Sequence, residues 1–73
     1  SNNLNNNSKN EKININQATI QELEKLSGIG PARAKTIIKF RKENGKFTEI
    51  NQLIKINGIG EKTLENIKDE IQL

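Results

Sequence analysis

The sequence predicts an all-α fold, a compact domain of four to five short helices built from two copies of one helical unit. Three observations predict it. Residues 19–30 can be laid over residues 49–60 with an offset of 30, which indicates a tandem duplication. Apolar residues recur at the three- and four-residue spacing of a helix in both copies. A Gly-Ile-Gly interrupts this spacing at the same place in each copy, so each unit is expected to be a helix, a tight turn and a second helix.

The first unit has clear start and stop signals. Thr19 and Glu22 form a Thr-x-x-Glu capping box, which predicts that a helix begins there. Gly28 ends it, and Pro31 suits the first position of the next helix because its missing N–H would be unsatisfied there anyway. That helix is expected to stop at Asn44, which a glycine follows. It should carry apolar side chains inward and basic ones outward, namely Ala34, Ile37, Ile38 and Phe40 against Arg33, Lys35, Lys39 and Lys42.

The second unit repeats the pattern with a weaker start signal. Glu49 stands where Thr19 stands in the first copy, so the clean capping box is lost and the boundary could shift toward Thr48. The apolar stripe is nevertheless retained, and it predicts helix through most of the remaining chain. Its members are Ile50, Leu53, Ile54, Ile56, Leu64, Ile67 and Ile71.

The 73 residues are enough for one domain, preceded by a segment of different composition. Residues 1–12 are polar and Asn-rich, and we expect a disordered linker because such a segment cannot bury enough apolar surface to offset its ordering entropy. The folded domain is expected at residues 13–73, with its two units at about 19–44 and 49–72.

The composition argues against catalysis. The chain has no Cys and no His, which removes the thiolate nucleophile, the commonest general base and the commonest transition-metal ligands. Glu65, Asp69 and Glu70 are expected to be solvated charges on the last helix and not a metal-binding cluster. We therefore expect a domain that is not an enzyme, with no catalytic residue, no metal, no other cofactor and no small-molecule substrate.

Positive charge is concentrated in the first half of the chain. The total is 12 basic against 9 acidic residues, a net charge of +3, which permits an anionic partner without demanding one. Residues 13–47 hold seven basic and three acidic residues, whereas residues 48–73 hold three basic and five acidic ones. If an anion binds, the first half should supply most of the electrostatic attraction.

The paired glycines of each turn point to phosphate binding. Glycine adopts backbone angles closed to other residues and leaves the surface of a turn free of side chains. The N–H groups at the start of the following helix lack intrahelical partners and lie at the positive end of the helix dipole, where a phosphate oxygen binds well. A single Gly-x-Gly could merely permit a sharp turn. Two copies at the same offset favour phosphate binding over that interpretation.

The first turn and its flanks, Leu23-x-x-Leu26-x-Gly28-Ile29-Gly30-x-x-x-Ala34, closely match the helix-hairpin-helix signature. Over about sixty residues the chain resembles the C-terminal tandem helix-hairpin-helix domain of ComEA-type competence proteins. The resemblance implies sequence-independent binding of double-stranded DNA during DNA uptake for transformation, with other DNA-uptake components as further candidate partners. It also implies an extracytoplasmic location, either tethered to the cell membrane through a region outside this sequence or in the periplasm.

The resemblance carries DNA contacts onto specific positions in both units. Hairpin amides would contact phosphates and the following polar side chains would flank them, at Gly28, Ile29, Gly30, Arg33, Lys35, Gly58, Ile59, Gly60, Lys62 and Thr63. The second unit departs from the pattern at two places. Leu64 stands where the signature has Ala, and Glu61, beside the second turn, stands where Pro31 stands beside the first. Together with the charge distribution, these departures predict that the first hairpin dominates binding.

Two other functions remain open. A duplicated fold of this kind could serve as a structural or protein-docking module without DNA binding, although the retained Gly-Ile-Gly turns argue against this. It could also position the substrate of a nuclease or ligase. Phe40 and Phe47, the only aromatic residues, are expected in the core and not as platforms for stacked bases, which argues against single-strand recognition. Nothing resembles a base-reading helix, so sequence specificity is not expected.

Overall fold

The computed structural model describes residues 11–73, so most of the expected linker at residues 1–12 lies outside the described residues. The described chain is mostly helical, as predicted, and also contains two very short strands. In order, its elements are β1 (Ile13–Asn14), α1 (Ile20–Leu23), α2 (Pro31–Asn44), the 3₁₀ helix η1 (Ile50–Lys55), α3 (Glu61–Ile67), the 3₁₀ helix η2 (Lys68–Glu70) and β2 (Ile71–Gln72). None of the helices in residues 11–73 is long and apolar enough to cross a membrane.

Helix α1 begins where the capping box predicts. The Glu22 amide donates to Thr19 Oγ1 over 3.2 Å, and the Thr19 amide donates to Glu22 Oε1 over 2.9 Å. These reciprocal bonds satisfy two amides that the helix itself cannot. The helix spans only four residues, and its Leu23 is fully buried.

Helix α2 is the longest element and has the predicted bounds. It starts with Pro31 at its first position and ends at Asn44, after which Gly45 takes a φ of 84° and donates its amide to Arg41 O. Positive φ is the usual helix-ending conformation and strongly favours glycine. Ala34 and Ile37 of this helix are fully buried.

The second unit starts with a different cap and a tighter helix. Gln52 Oε1 accepts the amides of Thr48 and Glu49 over 2.8 and 3.1 Å, so a glutamine side chain closes the helix start here. Residues 50–55 form the 3₁₀ helix η1. The helix start therefore has Glu49 as its N-cap, one of the two positions, Thr48 and Glu49, that the sequence left open.

The prediction of helix through Ile71 is wrong, and an all-α description of the chain is incomplete. Helix α3 stops at Ile67, η2 follows, and Ile71 lies in β2, which pairs in parallel with β1 in the register Ile13↔Ile71 and Asn14↔Gln72. Ile71 is 1% exposed, so the prediction that its side chain is buried is confirmed. The prediction that it lies in a helix is wrong. A strand of two residues has no alternation that a sequence could reveal.

One hydrophobic core is shared by both units. Fourteen buried apolar residues form it: Ile15, Ala18, Leu23, Leu26, Ile29, Ala34, Ile37, Phe47, Leu53, Ile56, Ile59, Leu64, Ile67 and Ile71. Phe47 is 3% exposed and its ring stacks on that of Phe40, with centroids 5.3 Å apart and planes 12° from parallel. The prediction that the aromatic residues belong to the core is confirmed.

Two polar side chains connect the segment before α1 to the rest of the domain. Asn16 donates from Nδ2 to Phe47 O over 3.0 Å and accepts the Phe47 amide at Oδ1 over 2.7 Å. Arg41 donates from Nη1 to Ile15 O and Ala18 O over 2.9 and 3.0 Å. Arg41 is therefore used within the fold, in contrast to the exposed lysines of the same helix.

Candidate nucleic-acid interface

The two Gly-Ile-Gly turns, which we call hairpin 1 (residues 27–31) and hairpin 2 (residues 57–61), have the same local geometry. The first glycine of each has positive φ, 78° at Gly28 and 91° at Gly58. The isoleucine that follows is buried and donates its amide back into the preceding turn, Ile29 to Leu26 O over 3.1 Å and Ile59 to Ile56 O over 3.0 Å. The duplication seen in the sequence is thus also a duplication of the turn.

The second glycine of each turn is not required by the fold. Gly30 and Gly60 precede α2 and α3 with φ of −99° and −97°, extended values that any residue adopts. A Cβ built on either glycine meets nothing within 4 Å. The expectation that both glycines of each pair take angles closed to other residues is therefore wrong for Gly30 and Gly60.

These two positions also lack the side chain that helix starts usually carry. Ser, Thr, Asp and Asn are preferred there because their side-chain oxygens accept first-turn amides. Neither Gly30 nor Gly60 can supply such an oxygen, and neither helix has a side-chain cap. The first backbone bonds inside the helices, Ala34 to Gly30 O and Leu64 to Gly60 O, leave the earlier first-turn amides for an external acceptor.

Hairpin 1 and hairpin 2 differ in their amide donors. Pro31 opens α2 and has no N–H, so Ala32 supplies the first amide of that helix. Glu61 opens α3 with an N–H of its own, although its exposed carboxylate adds a negative charge at the same place. The two turns therefore share a shape but not a donor set.

Not all of the basic side chains that the sequence predicts beside the hairpins lie beside the predicted hairpin. Lys35 is exposed on α2, and Lys39 and Lys42 follow it at helical spacing on the same exposed face. Lys62 is exposed on α3 and Thr63 beside it is half-buried. Arg33, expected beside hairpin 1, donates from Nε to the carbonyl oxygen of Gly58 in hairpin 2.

Glu70 lies beside hairpin 1. Its Oε1 accepts the Ser27 amide over 3.0 Å, and its Oε2 accepts the Ser27 hydroxyl over 2.8 Å. The expectation of a solvated charge on the last helix is therefore wrong for this residue, which lies in η2 and is half-buried. A residue of the second unit thus brings negative charge to hairpin 1, while Arg33 of the first unit brings positive charge to hairpin 2.

Two grooves in the described part of the chain lie away from the turns. A groove of about 480 Å³ runs beside β1 and α1, and another of about 410 Å³ lies beside η1, both lined by residues outside the two hairpins. In residues 11–73 no group of three or more acidic side chains is placed so that it could hold a metal ion. Lys68 pairs with Glu65 over 3.0 Å, and this bond raises the pKa of Lys68 above its ordinary value at an exposed position.

Comparisons with known proteins agree with the motifs. The family model described as the helix-hairpin-helix motif matches residues 8–72. ComE operon protein 1 of Bacillus subtilis is 51% identical over 59 residues, which are 81% of this chain and 29% of that protein. An uncharacterized protein of Haemophilus influenzae is 44% identical over 62 residues, 84% of this chain and 55% of that protein. The human endonuclease/exonuclease/phosphatase family domain-containing protein 1 is 39% identical over 61 residues, 84% of this chain but 11% of that protein.

The chain therefore spans 29% and 55% of the lengths of the two bacterial relatives. The resemblance drawn from the motifs is confirmed.

Proposed function

This chain belongs to the helix-hairpin-helix family, and we propose that it binds the backbone of double-stranded DNA without sequence preference and without catalysis. The observation that carries the proposal is the pair Gly30 and Gly60. Both positions lack a side chain although neither φ nor packing forbids one. Since neither backbone angle nor packing requires glycine here, the remaining reason is that a ligand approaches the backbone closely.

The ligand class follows from the groups around these glycines. First-turn amides at the positive end of a helix are suited to an oxyanion. The row of exposed lysines at residues 35, 39 and 42 begins one turn inside α2 and extends the positive surface away from hairpin 1. Two such turns held by one core suit a ligand with repeated phosphates, which duplex DNA supplies without any contact to base edges.

We extend the proposal to DNA uptake for transformation. The support is the 51% identity to a ComE operon protein across 81% of this chain. In this role the domain would lie outside the cytoplasm, tethered to the cell membrane through a region beyond this sequence or in the periplasm, and would pass DNA to other uptake components. Of the ten hairpin and flanking residues named from the sequence, seven remain the proposed contacts. The amides of Ile29 and Ile59 are already bonded to Leu26 O and Ile56 O, and the Arg33 side chain donates to Gly58 O.

Micromolar-range binding to duplex DNA is the first expected result. Non-specific binding through backbone contacts has a Kd of roughly 10⁻⁴ to 10⁻⁶ M at physiological salt, and log Kd rises with log salt because bound cations displace counterions. Fluorescence anisotropy with two labelled duplexes of equal length and scrambled sequence should give equal affinities. A single strand of the same length should bind more weakly, because the described aromatic residues are packed in the core. Strong preference for one sequence, or equal affinity for a neutral polymer, would refute backbone recognition.

Replacement of the first exposed lysine of α2, Lys35, should change the salt dependence. Lys35→Ala removes one cation that meets a phosphate, so the slope of log Kd against log salt should flatten by about one unit. Unfolding stability should stay within about 0.5 kcal/mol because the side chain is exposed. The matched control is Lys46→Ala, which removes the same charge beyond the C-terminal end of α2, a helix of 14 residues and so about 21 Å long. Equal slopes for the two variants would show that Lys35 contributes only general charge.

A docking module without DNA binding is the second candidate. The observation that favours it is Ile54, which is 42% exposed and lines the groove beside η1. A protein that fails to bind any duplex in the anisotropy experiment would favour this candidate. The match to a much larger nuclease-family relative also fits a domain that positions substrate for a separate catalytic part.

A further inference from the structure

We propose that Arg33 is a positioning residue, which holds hairpin 2 against the first unit, and not a phosphate ligand of hairpin 1. The proposal rests on the proposed function only for its consequence in DNA binding, since the contact itself lies within the protein. The contact runs from Arg33, the third residue of α2, to the carbonyl oxygen of Gly58 in hairpin 2.

The contact is packed as well as hydrogen-bonded. A Cβ added to Gly58 would lie 3.3 Å from Arg33 Nε and 3.6 Å from its Cγ, so the side chain lies directly over the glycine. Gly58 is therefore favoured by its φ of 91°, and a Cβ there would also crowd the Arg33 side chain. Gly28 has a φ of 78° but a Cβ there would meet nothing within 4 Å. We call this contact between Arg33 and Gly58 the clasp, and it exists at hairpin 2 only.

The repeat explains why this contact is single. The residue that corresponds to Arg33 in the second unit, at the offset of 30, is Thr63, whose short side chain cannot reach across to the other turn. The first unit therefore holds the second through Arg33, while Glu70 of the second unit holds Ser27 of the first. The two turns are thus held by different groups. The Arg33 guanidinium donates to a carbonyl oxygen of hairpin 2, and the Glu70 carboxylate accepts from an amide and a hydroxyl of hairpin 1.

Holding the two turns together matters for a ligand with fixed phosphate spacing. Amides in both hairpins can meet phosphates of one duplex only if the distance between the turns is constant. Loss of the clasp should therefore lower affinity by releasing hairpin 2, even though no phosphate contact is removed directly. A residue that contacts phosphate would instead act through its positive charge.

Two substitutions separate the hydrogen-bond donor from the charge. Glutamine places an N–H donor, Nε2, at the fourth side-chain position where arginine has Nε, and carries no charge. Lysine keeps the charge but has a methylene group at that position. We expect Arg33→Gln to retain duplex affinity within about threefold and Arg33→Lys to lose about fivefold to tenfold, the size expected for one charge-assisted hydrogen bond at an exposed site. The reverse order, with Lys active and Gln impaired, would overturn the proposal.

A second measurement does not depend on DNA. Amide hydrogen exchange followed by NMR in the free protein should show faster exchange at Ile59, whose amide is bonded to Ile56 O, in Arg33→Ala and Arg33→Lys, with Ile29 unchanged as the internal control. Arg33→Gln should exchange at the wild-type rate in both hairpins. Wild-type exchange at Ile59 in Arg33→Ala would overturn the proposed contact, whatever the affinities. If the wild-type protein binds no DNA, the proposed function fails while exchange still decides the clasp.

Discussion

The double variant Gly30→Asp, Gly60→Asp is expected to lose duplex binding while remaining folded. Aspartate is among the best residues for a helix start, since its carboxylate accepts first-turn amides, and its gain over glycine is a few tenths of a kcal/mol. Both positions have extended φ and open space around a Cβ, so the fold accepts the side chain. The new carboxylate takes the amides that a phosphate would use and repels the phosphate itself. Each lost charge-assisted contact should weaken binding by about tenfold to a hundredfold.

The control for this variant is Asn51→Asp, Asn66→Asp. It makes the same change in net charge at two exposed positions outside both hairpins. Anisotropy should show a small loss for the control and loss of measurable binding for the glycine variant, while circular dichroism should show the same fold and a melting temperature no lower than that of the wild type. Equal losses in the two variants would mean that charge alone, and not the surface of the turns, governs binding. The single variants compare the turns. The three exposed lysines that follow hairpin 1 on α2 outnumber the one carboxylate of Glu70 beside it, so the larger loss is expected at Gly30.

Ile37→Ala is expected to destabilise the domain more than any surface change. Ile37 is fully buried in the core shared by both units, and truncation of such a residue to alanine costs about 2–5 kcal/mol through lost burial and the cavity left behind. A domain of this size has a total stability of roughly 3–9 kcal/mol, from about 0.05–0.15 kcal/mol per residue. At the middle of both ranges about 2–3 kcal/mol of stability remains, so the variant should stay mostly folded at 25 °C but unfold at a much lower urea concentration. Urea unfolding followed by circular dichroism measures the change.

The matched control is Ile54→Ala, which deletes the same atoms at a side chain that is 42% exposed. Its cost should stay within about 0.5 kcal/mol. Equal destabilisation of both variants would contradict the placement of the core on one face of α2. DNA affinity of the folded fraction should be unchanged in both, because neither residue is part of a hairpin.

Local signals in the sequence predicted the helices well where they existed. The capping box at Thr19, the proline at the start of α2 and the glycine after Asn44 each act over a few residues, so their meaning does not depend on the rest of the fold. The two-residue strands have no such signal. Their pairing joins residues almost sixty positions apart, and it depends on where the folded core leaves the two ends of the described chain.

The site was predictable to the same degree. The repeated Gly-Ile-Gly identified both turns, but only the backbone angles separate the glycines that the fold needs from the two that it does not. The family resemblance assigned Arg33 to hairpin 1, and the expected position on the last helix assigned Glu70 to solvent. Both residues instead reach across the interface between the units, and sequence position does not report contacts of that kind.

The parallel pairing of β1 and β2 has a mechanical consequence. Because both strands run in the same direction, the chain enters β1 at one end of the pair and leaves β2 at the opposite end. A pulling force between the two ends of residues 11–73 therefore slides the strands past each other. In this shear geometry two hydrogen bonds bear the load together, from the Ile15 amide to Gln72 O and from Gln72 Nε2 to Lys12 O. If the strands were pulled apart from one end instead, the bonds would break one after the other. Two residues of strand at each end thus protect the buried Ile15 and Ile71 against tension along the chain.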